Sequence, residues 1–157
     1  MRFDDLFLPF VLNYQNHLYM YLFSYINWLH VLVAALAYFA LGAIWYSFLF
    51  QKQWVRYHNI DMNNPDGRKG VGAVMFMSFL LMFLITVGLE ILIYRAGITG
   101  GALSGVKLGL TTGVFFSAAA ISITYLYLKR AVGLHFIDGL YHVVGQVIAA
   151  VILCAWQ

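Results

Sequence analysis

Four apolar runs, each long enough to cross a bilayer, decide what this chain can fold into. They cover about residues 26–50, 71–94, 102–128 and 136–156. A hydrocarbon layer about 30 Å thick takes about 20 residues of helix, and a helix satisfies every backbone donor and acceptor where no water can. The reading is therefore all-α: an integral membrane four-helix up-and-down bundle, formed by residues 26–157 as a single domain. The first run carries no Asp, Glu, Lys or Arg, and the other three carry one each: Glu90, Lys107 and Asp138.

Composition excludes the alternatives. With 63% hydrophobic residues, 10% charged residues and a mean hydropathy of +0.82, the chain cannot hide its apolar surface in a water-soluble core. Aromatic residues make up 18%, as expected of a chain that meets two lipid interfaces. The net charge of +3 is spread over the loops, which fits membrane orientation and gives no basic face for nucleic acid. The one cysteine, Cys154, lies in an apolar run, so neither an intrachain disulfide nor a Cys-x-x-Cys zinc site is expected.

The loops set the topology. The first, residues 51–70, contains the breaker Asn63-Asn64-Pro65-Asp66-Gly67, and its first half, with Trp54, Tyr57, Lys52 and Arg56, reads as a short interfacial helix. The connections at 95–101 and 129–135 are short, which predicts antiparallel packing of consecutive helices. Lys52, Arg56, Arg68, Lys69, Lys129 and Arg130 fall on one side, against Arg2 and Arg95 on the other. The positive-inside rule then places loops 51–70 and 129–135 in the cytoplasm and both termini outside. Residues 1–25 alternate apolar, polar and apolar stretches without a signal peptide's basic start and cleavage site, and are expected to form an amphipathic interfacial segment. Met20 is a candidate alternative translation start.

Several short motifs recur in one known family. They are Asn27-Trp28-Leu29, Gly42-Ala43-Ile44-Trp45-Tyr46-Ser47, Trp54, Ile137-Asp138-Gly139-Leu140-Tyr141-His142, Gly145 and Ala155-Trp156. Through them the chain, from about residue 26 onward, resembles the bacterial membrane family catalogued as domain of unknown function 1761. The resemblance implies a bundle in the inner cell membrane and supplies no activity.

Three features bear on chemistry. Asp138, His142 and Gln146 are spaced at i, i+4 and i+8, forming a polar stripe on an apolar helix. A carboxylate one turn from an imidazole can orient it for proton relay, and charge inside a membrane is costly enough to point to function. The alternative is that the stripe is hydrogen-bonding glue between helices. Trp45, Tyr46 and Ser47 end the first run at similar depth and are candidates to complete the same site.

A second candidate cluster, His30, Glu90 and Lys107, lies toward the opposite surface. It is read as an ion pair with a nearby histidine, or as charges snorkelling separately to the interface, with Arg95 competing for Glu90. Gly101, Gly105, Gly109, Gly113 and Ser117 recur every four residues, a row that lets helix backbones approach closely. Its partner is the Ala34–Ala43 stretch, the Gly145–Ala149 pair or a second copy of the same helix.

Metalloprotease, hydrolase, phosphate-loop and dinucleotide signatures are absent, so no catalytic residue, metal or cofactor is assigned and an enzyme is not the leading expectation. The leading expectation is a small transporter, channel or proton-linked binding protein in the lipid bilayer. It would act as a homo-oligomer or with a membrane-protein partner, because four helices enclose little room. A non-catalytic membrane subunit is the alternative. A membrane enzyme with Asp138 and His142 as acid–base pair on a lipophilic substrate is the third, favoured if an apolar pocket opens beside them.

Overall fold

The computed structural model describes residues 24–58 and 70–156. These form helices α1 (Trp28–Ile44), α2 (Gln51–His58), α3 (Val71–Ala96), α4 (Gly101–Thr112), α5 (Ala119–Tyr127) and α6 (Val132–Ala155), with no strand among the described residues. Wider π-helical turns extend α1 through Trp45–Leu49 and join α4 to α5 through Gly113–Ala118. Four continuous helical spans result, Trp28–Leu49, Val71–Ala96, Gly101–Tyr127 and Val132–Ala155, each long and apolar enough to cross a membrane. The protein is an all-α helical membrane protein. The expected interfacial segment at residues 1–25 and the Asn63–Gly67 breaker fall outside the described residues, apart from Ser24 and Tyr25.

Local chemistry sets the helix ends. The Asn27 side chain caps α1, accepting hydrogen bonds from the backbone N–H of Leu29 and His30 at 3.2 and 3.3 Å. At the other end of α3, Gly97 adopts φ +60°, and the N–H of Ile98 returns to the carbonyl of Ile93 at 3.0 Å, satisfying groups a helix terminus leaves open. Lys129 takes the left-handed conformation (φ 51°) that closes the span-three helix, so that Arg130 N–H reaches the Tyr125 carbonyl at 3.0 Å.

Helix α6 is the centre of the bundle. Its membrane window is 56% buried, against 17–28% for the other three spans. It packs on α1, α3 and the α4–α5 span, while α1 also packs on α3. Consecutive spans two and three make at most marginal contact, contrary to the expectation that every short loop joins packed neighbours. Span three packs on α6, whereas span two packs mainly on α1 and less on α6, so the two short-looped neighbours are drawn to different partners.

The glycine row accounts for the closest approach. A Cβ on Gly105 would sit 2.6 Å from the Ala150 carbonyl oxygen, one on Gly109 would collide with Val147 Cα, and one on Gly113 would lie 2.7 Å from Val143 Cα. Of the three partners the row permits, the structure selects α6 of the same chain, in antiparallel register. Without hydrophobic gain inside lipid, such backbone-to-backbone packing is what dispersion can stabilise. Gly101 does not belong to this seam. It has φ +59° and open space around it, so it serves the turn that starts α4. Gly145, in turn, faces α1: a Cβ there would strike the Tyr38 ring.

Contact between the two helices is dense along α4 and thins along α5. The helices therefore splay toward the Lys129–Ala131 turn, and both cavities described below open at this splayed end.

Candidate polar site at the splayed end

The fourth-span stripe divides among different partners. Asp138, only 6% exposed, accepts hydrogen bonds from Tyr46 at Oδ1 (2.7 Å) and from Tyr125 at Oδ2 (2.6 Å). His142 shares a 2.5 Å hydrogen bond between Nδ1 and the Tyr38 hydroxyl. Gln146 donates from Nε2 to Ser117 Oγ at 2.5 Å. The expected direct orientation of His142 by Asp138 is not what the geometry shows: each is held by tyrosine from a neighbouring span. A helical i, i+4 spacing permits such a pair, but here the hydroxyls of Tyr46 and Tyr125 bond Asp138 and that of Tyr38 bonds His142.

Asp138 and His142 line one cavity of about 320 Å³ with Tyr46, Trp54, His58, Ile121, Thr124 and Tyr125. Gln146 does not line it; that residue is 2% exposed and belongs to the α4–α6 seam. Trp54 and His58 come from α2, where the rings lie 4.4 Å apart, tilted by 36°, and His58 Nδ1 approaches the Trp54 carbonyl at 3.1 Å. Trp54 also packs edge-on against Tyr46. The first half of the loop is helical as expected, and it forms one wall of the cavity.

Two of the three first-span candidates are placed elsewhere. Trp45 is buried and donates from Nε1 to the Ile137 carbonyl at 3.0 Å, tying span one to α6 beside the site. Ser47 is exposed and does not line the cavity. Of the three, Tyr46 alone lines the cavity. The π turn that carries all three residues shifts side-chain directions relative to a regular helix, and such turns are frequent at functional sites.

Tyr38, Trp54, His58, Thr124 and Tyr125 are additions that the stripe did not reveal. Tyr38 carried a usable signal, since a tyrosine at mid-span is not explained by interfacial preference and its hydroxyl needs a partner. It is fully buried, with Tyr141 packed beside it at 5.6 Å between ring centroids. Tyr125 gave no such signal, because it lies where interfacial tyrosines are ordinary.

The second cluster is not assembled as an ion pair. His30 stacks on Trp156 at 4.4 Å and shares a 3.0 Å hydrogen bond with the Asn27 amide, and Glu90 lies close enough to both residues to feel them. Glu90 Oε2 is buried without a hydrogen-bond partner among the described residues. Lys107 is exposed, on a span that α3 scarcely touches. No group of three or more His, Cys, Asp or Glu with metal-binding geometry occurs among the described residues. Thr111 and Thr112 bond back to the carbonyls of Lys107 and Leu108, as intrahelical hydroxyls do.

No curated protein and no solved structure matches the chain. A family model matches over residues 29–154, nearly the whole of the bundle. The chain belongs to the family described as Protein of unknown function (DUF1761).

Proposed function

We propose that this protein is a membrane-embedded binding protein of transporter type, whose solute is a small organic cation held in the Asp138 cavity. The observation that carries the reading is the character of the cavity wall. It has one carboxylate, two imidazoles and the rings of Tyr46, Trp54 and Tyr125, and neither Lys nor Arg. A buried carboxylate with aromatic faces around it complements an ammonium group, which gains from the anion and from the ring quadrupoles together. The volume of about 320 Å³ lies at the lower end of the range of roughly 300–1,000 Å³ typical of small-ligand sites. Lys52, Arg56, Lys129 and Arg130 cluster at the same end of the bundle, so the positive-inside rule opens this cavity to the cytoplasm of the inner membrane, with both termini outside. A homo-oligomer would complete a solute path that four helices cannot enclose.

Choline and tetramethylammonium are the first probes, titrated into the purified protein with Trp54 fluorescence as the signal and Trp54→Phe as the blank. Asp138→Asn is expected to weaken binding roughly tenfold or more, about 1.4 kcal/mol, with assembly retained. Equal binding by wild type and Asp138→Asn, or equal competition by small anions, would overturn the assignment.

A second reading is favoured by one observation. Tyr125, which holds Asp138, also lines a larger, mostly apolar groove between spans three and four. A membrane enzyme with Asp138 and His142 as acid–base pair and a lipophilic substrate entering from that groove would use the same residues. The helix-glue reading is supported at Gln146, whose partner is Ser117.

A further inference from the structure

The larger groove has a form that a bilayer lipid would fill. About 570 Å³ in volume, it runs between the outer faces of spans three and four. Its floor is a stripe on span three, Val114, Ala118, Ser122 and Tyr125, and its far wall is on α6. Small side chains line the channel: Ala118 and Gly139 face one another so closely that a Cβ added to Gly139 would lie 3.4 Å from Ala118 Cβ, in ordinary contact, and both residues border the groove. From Val114 to Tyr125 the floor is roughly 16 Å long at 1.5 Å per helical residue. That is about half of a hydrocarbon layer roughly 30 Å thick, the depth of one leaflet.

The two ends of the groove differ in chemistry. At the turn end it is bordered by Lys129, Arg130 and His135, the first two exposed. The His135 ring stands edge-on to Tyr125, 5.5 Å between centroids, which sets the imidazole at the groove mouth. Away from that end the lining is almost wholly apolar. Two fixed cations at headgroup level above one leaflet's depth of apolar channel define an amphiphile with an anionic head.

The geometry points to a specific site for an anionic phospholipid, its phosphate held by Lys129, Arg130 and His135 and one acyl chain lying along Val114, Ala118 and Ser122. Charge complementarity selects the occupant, since a zwitterionic lipid offers the same chains without the net negative head. The site shares only Tyr125 with the polar cavity and stands or falls without the cation reading.

The test is retention of phosphatidylglycerol against phosphatidylcholine of identical chains by the full-length protein in mild detergent, counted by native mass spectrometry. Each basic residue near an anionic headgroup is worth about a fivefold preference, so the wild type should favour phosphatidylglycerol on the order of thirtyfold. Lys129→Asn with Arg130→Gln should bring the two lipids close to parity; asparagine suits the left-handed backbone at that position. Ser122→Phe, or Ser122→Leu if the larger ring disturbs folding, keeps both charges but obstructs the channel, and should also lose most of the preference. Unfolding temperatures in phosphatidylcholine alone verify that each variant is folded. Equal retention of both lipids by the wild type would overturn the site. So would a preference that survives the obstructed channel, which is charge attraction alone, or displacement of the lipid by inorganic phosphate at equal concentration, which is a free-anion site.

Discussion

Tyr125 donates its hydroxyl to Asp138 Oδ2 at 2.6 Å, joining spans three and four where their backbones have already parted. Tyr46 holds the other carboxylate oxygen from span one at 2.7 Å. Three spans thus meet at one carboxylate at the open end of the bundle, while the glycine seam holds the α4 end.

The clamp predicts stability as well as binding. Tyr46→Phe and Tyr125→Phe should each lower stability by about 1–2 kcal/mol, because each leaves a buried carboxylate oxygen short of a donor. Thermal unfolding in detergent measures this. Two neutral substitutions would mean that water or lipid replaces the hydroxyls without cost.

The seam is a packing device, and its glycines should be unequal. Gly109→Leu would drive a side chain into the backbone at Val147 and should cost about 1–3 kcal/mol or more. Gly88→Ala, at a position with nothing within 4 Å, should stay within about 0.5 kcal/mol of wild type. Unfolding curves that put the two substitutions on a par would contradict the assignment of the row to α6.

Gln146 and Ser117 form a pair that a double-mutant cycle isolates. Gln146→Leu alone strands a hydroxyl, whereas Gln146→Leu with Ser117→Ala removes both partners; a coupling of about 0.6–2 kcal/mol is expected, with choline binding unchanged. Loss of binding with unchanged stability would move Gln146 from the seam into the site.

Glu90 and Lys107 should behave independently. Lys107→Gln is expected to change stability by less than about 0.5 kcal/mol, and the cycle with Glu90→Gln to show no coupling, since spans two and three scarcely meet. A measured coupling above that level would show that the charges find one another in the membrane.

Membrane helices were legible because lipid leaves a backbone so few options. The four runs appear as four helical spans, and the helical loop around Trp54 follows from its amphipathic pattern. Helix partnership was less legible. A row of glycines announces close approach but names no partner, and Gly101 shares the spacing without sharing the contact. The polar stripe indicated Asp138 and His142, yet regular helical geometry could not give the π turn that separates Tyr46 from Trp45 and Ser47. Tyr125 was hidden in another way, since an interfacial tyrosine and a tyrosine bound to a buried carboxylate look alike in one dimension.

The central claim is that Asp138 and His142 face a cavity open to water and to a cationic solute. Thr124 lines that cavity and Ser117 lies in the seam, so cysteine at each position compares the two environments in a Cys154→Ala background. In native vesicles opened to both sides, a membrane-impermeant cationic thiosulfonate should modify Thr124→Cys rapidly, choline should slow that reaction, and Ser117→Cys should resist. Equal rates at both positions, or a Thr124→Cys reaction indifferent to choline, would contradict the account.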